Sequence, residues 1–388
     1  MKKVLYTLLI LSTATLSAQG KKFFKSGEVN LQNPVEKINL RFANDLPFVQ
    51  VSINGKTYNF LFDTGAPTVI STAVYTELGL EKKHTAKVKD SQKNKQEQIF
   101  TILPEMIVDH AVFKNVGAIV MDFSVSELSC FKIDGIIGAN QMAKLSWKVN
   151  YAENSLEASK DLAQFNPAEY DIVIPFSPRP QKTPVVETDL QGKKIDLTFD
   201  TGFSGRLKVT DAAYDAQKAL KSIEIYGTNS VGAYGAGKPL PGYIFRTPAL
   251  SLGNKSFANE IIATGNASLI GNDFFKNFIF ILDWSENKIY MKQIKNEPAK
   301  LESFGFGYRF IDSKPTVAFV FQEENFPLKV GDAIISINNV NLDSLDKDGA
   351  CHYFINRVEN GQKSIDLKIR RDGKEMEVRL EKKEFLKV

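Results

Sequence analysis

Residues 46–68 read LPFVQVSINGKTYNFLFDTGAPT, and residues 183–205 read TPVVETDLQGKKIDLTFDTGFSG. The two stretches align without a gap, 137 residues apart. Pro47 falls on Pro184, Val49 on Val186, Gly55 and Lys56 on Gly192 and Lys193, and Phe62 on Phe199. Each copy alternates apolar and polar residues around a turn, Asn54-Gly55 or Gln191-Gly192, which is the pattern of a β-hairpin. The second strand of each hairpin runs directly into Asp-Thr-Gly. A further matched pair follows downstream: IDGIIGANQMAKLSWKVNYAENSLE from Ile133 and ASLIGNDFFKNFIFILDWSENKIY from Ala267, with Gly138 over Gly271. Glu153-Asn154 and Glu286-Asn287 mark one more hairpin turn in each copy. A repeat of this kind means one structural unit used twice. It predicts two β-rich units over residues 26–160 and 168–293. The Pro-containing stretch 165–184 joins them, and residues 170–176 within it already read as a strand of the second unit.

The rest of the chain bounds the problem. With 388 residues, 43% hydrophobic and 24% charged, the chain has room for two or three domains of an ordinary globular protein. The formal net charge of +4 is spread along the chain with no basic stripe, which argues against nucleic acid as a partner. Lys2 and Lys3 precede an apolar run from Val4 to Leu16, followed by Ser17-Ala18-Gln19-Gly20. That order reads as a secretory signal peptide over residues 1–20, so the protein is expected to be exported, periplasmic or extracellular. The run is too short and too interrupted to anchor the protein, and no later stretch is long enough to span a bilayer, so no membrane span is expected after cleavage.

Cys130 and Cys351 read as two buried small side chains, although an oxidising compartment would permit a bridge. His84, His110 and His352 are scattered, and no Cys or His pair has metal-ligand spacing, so no metal and no cofactor are expected.

A single Asp-Thr-Gly means little. At ~6% usage per residue type, a chain of this length holds on the order of a tenth of a chance occurrence. Two copies in matched strand–turn–strand contexts are a different signal. Gly after the Asp lets backbone N–H groups approach its carboxylate with no Cβ in the way, and Thr offers a hydroxyl to pin the turn. Two carboxylates brought together cannot both ionise cheaply, so they share a proton. The ionised member can deprotonate a water that attacks a peptide carbonyl, while the protonated member donates to the carbonyl oxygen. The alternative is that both turns are structural, each Asp capping its own backbone.

FLFDTGAPTVIS with IDGIIGAN, and LTFDTGFSGRLKV with SLIGNDFF, resemble the pepsin and retropepsin-like aspartic peptidase superfamily. The resemblance implies a mainly β protein with two retropepsin-like lobes in a bilobal aspartic-peptidase fold. It implies Asp63 and Asp200 as the catalytic dyad, Thr64, Gly65, Thr201 and Gly202 as the supporting turns, and Gly138 and Gly271 as structural braces. Ala66 after the first turn is retroviral in character. Phe203 departs from the family pattern and cannot hydrogen-bond the Asp200 carboxylate. Enzymes of this kind cover their substrate with hairpin flaps. The Gly-rich stretch 232–237 lies where one belongs, with Tyr234 as a candidate cleft residue, whereas the polar stretch 87–98 in the first unit reads as a solvated loop.

After Pro298 the pattern changes. Strands are predicted over 316–321, 333–337, 364–370 and 375–380, with a helix over 349–358 and a turn at 371–374. Phe304-Gly305-Phe306-Gly307 with PLKVGDAIISINNVNLDSL resembles a PDZ domain, a small α+β unit over residues 302–383. The resemblance implies that Phe304, Gly305 and Phe306 form a loop receiving a peptide C-terminal carboxylate. The function expected is aspartic endopeptidase action on peptide or protein substrates, with the PDZ-like unit recruiting substrate or partner. The competing function is a catalytically inactive peptide-binding or adaptor protein using the cleft or the PDZ groove.

Overall fold

The computed structural model describes residues 11–12, 23–124, 127–214, 220–296, 298–311 and 313–387. The signal peptide expected over residues 1–20 therefore lies outside the described residues, apart from Leu11 and Ser12. The chain is mainly β, 55% strand and 11% helix.

Each repeat builds the same local structure from the alternation seen in its sequence. Strands Leu46–Ile53 and Lys56–Asp63 pair antiparallel, as do Pro184–Leu190 and Lys193–Phe199. Both turns need two successive residues at positive φ: Asn54 at 50° and Gly55 at 78°, Gln191 at 54° and Gly192 at 83°. Such turns match the right-handed twist of the strands they join. The downstream apolar-apolar-Gly segments then slot in parallel to the second hairpin strand. Gly135–Gly138 pairs with Phe60–Asp63, and Leu269–Ile270 pairs with Thr198–Phe199.

The repeats are joined by a shared antiparallel sheet of six strands. Its order is Glu36–Ala43, Ser155–Ser159, Ser146–Asn150, Phe278–Asp283, Lys288–Gln293 and Ile172–Pro178. The central contact pairs Trp147 with Leu282 and Asn150 with Ile279. Strand Ile172–Pro178 is the segment that the sequence assigns to the second unit. Above this sheet, Phe62 meets Trp147 edge-on at 5.1 Å, and its repeat counterpart Phe199 stacks on Phe275 at 3.9 Å. These fully buried aromatics set the floor on which the two Asp-Thr-Gly turns rest.

The C-terminal segment has its own apolar core, including Tyr308, Ile334, Ile337, Leu367 and Ile369. The four predicted strands appear as Lys314–Phe321, Ala333–Ile337, Ser364–Arg371 and Lys374–Glu381. The helix spans Lys347–Ile355 and so starts two residues before the predicted one, because the Asp346 carboxylate accepts from Gly349 N–H at 2.8 Å and caps it. Strand pairing and a covalent bond are among the links that tie this segment to the repeats. Lys314–Phe321 pairs antiparallel with Ser222–Gly227 of the second repeat. Cys351 on the helix is bonded to Cys130 of the first, with Cα atoms 4.8 Å apart. That bridge corrects the expectation of two separate buried thiols. Sequence distance hid it, since 221 residues separate the pair and only the fold brings them together.

The bridge closes a very long loop of the unfolded chain, the situation in which a cross-link restricts the unfolded state most. Cys351→Ser is therefore expected to lower unfolding stability by about 2–4 kcal/mol, read by chemical denaturation. The Ser222–Gly227 pairing should survive, which hydrogen exchange at those amides would check.

Candidate active site

The parallel strand Gly135–Gly138 places Gly138 opposite Asp63, and Asp200 N–H donates to Ile270 O at 3.0 Å in the second repeat. Both bracing glycines sit where no side chain fits. A Cβ on Gly138 would overlap the backbone of Pro67 and Thr68, and one on Gly271 would overlap the Phe203 and Gly205 carbonyls. Close approach, and not an unusual φ, requires glycine here, since Gly138 has φ −100°.

Between the two turns the repeats exchange hydrogen bonds. Thr64 Oγ1 donates to Phe199 O at 2.6 Å and accepts from Thr201 N–H at 3.0 Å. Thr201 Oγ1 donates to Phe62 O at 2.8 Å and accepts from Thr64 N–H at 3.0 Å. Each hydroxyl thus fastens its turn to the opposite repeat. Gly65 and Gly202 have the same cross-repeat character: a Cβ on Gly65 would lie 2.5 Å from an Asp200 oxygen, and one on Gly202 would overlap the Asp63 carboxylate. The structure therefore brings Asp63, Thr64, Gly65, Asp200, Thr201 and Gly202 into one cluster.

The two carboxyls differ in their surroundings. Asp63 Oδ1 accepts from Gly65 N–H at 2.7 Å, and the Ala66 and Gly202 amides also favour its ionised form. Asp200 Oδ1 accepts from Gly202 N–H at 2.9 Å, and the Asp63 carboxyl is its hydrogen-bonding neighbour. Burial pushes the Asp63 carboxyl up to about 7, against the opposing pull of those amides. Burial, then the charge of Asp63, raises Asp200 well above the ordinary carboxylate range. The two carboxyls therefore titrate as one coupled pair, with more amide donors favouring ionisation at Asp63. The Oδ2 atoms of both face no protein donor. Phe203 does not disturb this arrangement. Its ring is fully buried against Leu269, and its carbonyl accepts from Asn272 N–H at 2.8 Å.

Both carboxyls are 0% exposed. The cover comes from two hairpin tips. The stretch 87–98, read from sequence as a solvated loop, belongs instead to the antiparallel hairpin Lys82–Asp90 and Lys95–Val108, and Asp90, Ser91 and Gln92 at its tip are buried. Its polar composition hid it, because a tip that buries against another polar tip shows no apolar alternation. The facing hairpin is Val231–Gly232 and Gly235–Ala236, the Gly-rich stretch. Asp90 accepts from Tyr234 N–H at 2.9 Å, Gln92 Nε2 donates to Ser230 Oγ at 3.0 Å, and Asn266 Nδ2 donates to Gln92 Oε1 at 3.1 Å. Tyr234 lies half-buried against the apolar cluster that holds Leu61, Ala66 and Val69, with its hydroxyl beside Gln98. Val88 and Ala233 belong to that same cluster, so both hairpins close over the Asp63 side.

The loop expected to receive a peptide carboxylate is differently engaged. Gly305 N–H bonds Ser303 Oγ at 3.0 Å, Gly305 O accepts from Phe321 N–H at 2.7 Å, and Phe306 is buried in the small core. Phe304 is half-buried under the Lys382 ammonium, 4.9 Å from the ring centre. Beside the strand Phe306–Ile311, Phe310 meets Tyr353 of the helix at 6.2 Å. Among the described residues no three His, Cys, Asp or Glu side chains cluster as metal ligands.

This geometry is that of a carboxyl dyad held between two duplicated turns under paired hairpins. Residues 49–141, which contain the first Asp-Thr-Gly and its bracing strand, match the family model for aspartyl proteases. The match supports an aspartyl protease of retropepsin-like type and a protease-type function acting on peptide or protein substrates. No curated protein matches the chain.

Two outcomes follow from the dyad. Thr64→Val leaves Thr201 N–H and Phe199 O without their partner in a buried site, which is expected to cost about 1–3 kcal/mol, measurable by chemical denaturation. Because burial raises both carboxyl pKa values, the closed fold is most stable with the dyad protonated, and the contribution of Asp63 is lost as pH rises through about 7. A pH series of melting temperatures should show this decline, and Asp63→Asn should flatten it.

Proposed function

We propose that the chain is an aspartic endopeptidase with Asp63 and Asp200 as its catalytic dyad. The observation carrying the reading is the pair of adjacent carboxyls with unequal environments and Oδ2 atoms that no protein group satisfies. Ionised Asp63 takes a proton from the water that attacks the scissile carbonyl carbon. Protonated Asp200 donates to the carbonyl oxygen, and the resulting diol collapses with proton transfer to the leaving nitrogen. No covalent intermediate and no cofactor is needed.

The closed hairpins must part to admit substrate, since both carboxyls are sealed in this conformation. On this reading residues 26–160 and 168–293 act as two lobes, and residues 302–383 act as a PDZ-like unit for recruitment. The bond from Gly305 N–H to Ser303 Oγ occupies one amide of the expected carboxylate loop, which favours recruitment along the Phe306–Ile311 edge. Export to the periplasm or outside the cell is proposed from the leader, and the Cys130–Cys351 bridge supports an oxidising compartment.

The sealed dyad also favours a second reading, in which the cleft captures peptide without hydrolysing it. Digestion of a peptide library over a pH series separates the two. Wild-type protein should cleave, and Asp63→Asn or Asp200→Asn should reduce the rate at least about a thousandfold while keeping the fold. Cleavage that persists in either variant, or peptide binding without cleavage by the wild type, would remove the peptidase reading. A disulfide engineered between positions 92 and 230 should block cleavage until it is reduced, with wild type in the same reductant as the control.

A further inference from the structure

The walls on the two sides of the dyad differ in chemistry. On the Asp63 side, Leu61, Ala66, Val69 and Ile136 are buried in one apolar cluster. On the Asp200 side a cleft of about 370 Å³ opens, with Arg179, Asp196, Thr198, Lys89 and Lys93 in its lining. Asp196 and Thr198 share one face of the strand Lys193–Phe199, which runs directly into Asp200. The cleft that Asp196 and Thr198 line therefore neighbours the sealed Asp200, whose charge the Arg179 guanidinium in the lining feels.

The repeat makes this asymmetry readable residue by residue. At the positions 137 earlier, Asp196, Thr198 and Arg179 are replaced by Asn59, Leu61 and Phe42. Asn59 is consumed internally, its N–H bonded to Asp134 and its amide group to the Phe131 carbonyl. Phe42 is stacked on Tyr151 at 4.1 Å. Only the second repeat presents a cation there.

Arg179 is held for the purpose by its backbone. Its N–H donates to Thr183 O at 2.9 Å, its carbonyl accepts from Lys182 N–H at 2.7 Å, and Thr183 Oγ1 reaches Gly65 O at 3.3 Å. The turn is thus fastened to the first Asp-Thr-Gly. The guanidinium is half-buried, feels the charges of Asp196 and Asp200, and forms no hydrogen bond or ion pair with a described residue. Lys89 and Lys93 approach from the hairpin and are likewise without an ion pair among the described residues. Of the acidic groups in the lining, Asp90 is occupied by backbone N–H groups of Gln92, Asn94 and Tyr234, and Asp196 is exposed.

We propose that Arg179, with Lys89 and Lys93, makes the Asp200-side subsite a receptor for a peptide carboxylate. The carboxylate is either a Glu or Asp side chain beside the scissile bond or the C-terminal carboxylate of a short substrate. A guanidinium presents paired donors that match a carboxylate, and a half-buried position strengthens that bond over one in water. The inference deepens the peptidase reading and rests on it.

The test compares kcat/KM for peptide pairs that differ only in Glu against Gln next to the scissile bond, and in a free against an amidated C-terminus. A Glu-over-Gln or acid-over-amide ratio on the order of ten- to a hundredfold is expected, and the pair that shows it identifies the source of the carboxylate. Arg179→Met should bring that ratio close to one whatever its effect on absolute rate, Arg179→Lys should retain part of it, and Arg179→Glu should turn the preference toward Lys. A wild-type ratio near one, or an unchanged ratio in Arg179→Met, overturns the subsite assignment while leaving the peptidase reading in place. Failure of the wild type to cleave any peptide overturns both.

Discussion

Two carboxyl groups removed from water and set against each other are the constraint around which this molecule is arranged. Left alone they would repel, and burial would charge a further cost for every ionised oxygen. The structure offsets this with short donors from Gly65, Ala66 and Gly202 toward Asp63 and with the reciprocal Thr64 and Thr201 bonds that keep the turns from separating. Burial also holds both carboxyls above the ordinary carboxylate range, toward the neutral form that does not repel. The glycines follow from the same constraint, since any side chain at Gly65 or Gly202 would occupy the space of the opposite carboxylate.

That arrangement is symmetric in architecture and asymmetric in chemistry. The shared six-stranded sheet and the paired Phe62 and Phe199 packing support both turns alike. Yet Asp63 receives more amide donors than Asp200, its flanking wall is apolar, and the wall beside Asp200 carries Arg179. Duplication supplies a scaffold that can hold two equivalent acids, and divergence between the copies then gives the two carboxyls unequal surroundings.

The hairpins and the C-terminal segment are coupled to the same centre through the backbone. Strand Ser222–Gly227 pairs with Lys314–Phe321 of the C-terminal core, and the chain continues from it within a few residues to Ser230 and the tip that meets Asp90. The Cys130–Cys351 bridge holds the other end of that segment to the first repeat. The C-terminal segment is therefore braced against both repeats, with one edge of its sheet already taken by the second.

What was legible in the amino-acid order was local or repeated. Alternation around Asn54-Gly55 and Gln191-Gly192 gives the hairpins, because a two-residue period and a positive-φ turn leave few other structures. The 137-residue spacing pairs Asp63 with Asp200 before any coordinates are known. The roles of Asp90, Gln92 and Arg179, the sealing of the dyad and the disulfide were decided only by the tertiary structure. Polar residues that bond each other across hairpin tips carry no periodic signature, and a contact across 221 residues leaves no trace in its neighbours. The internal bonds at Gly305 belong to the same class: a Phe-Gly-Phe stretch specifies a bend, but its surroundings determine which amides remain free.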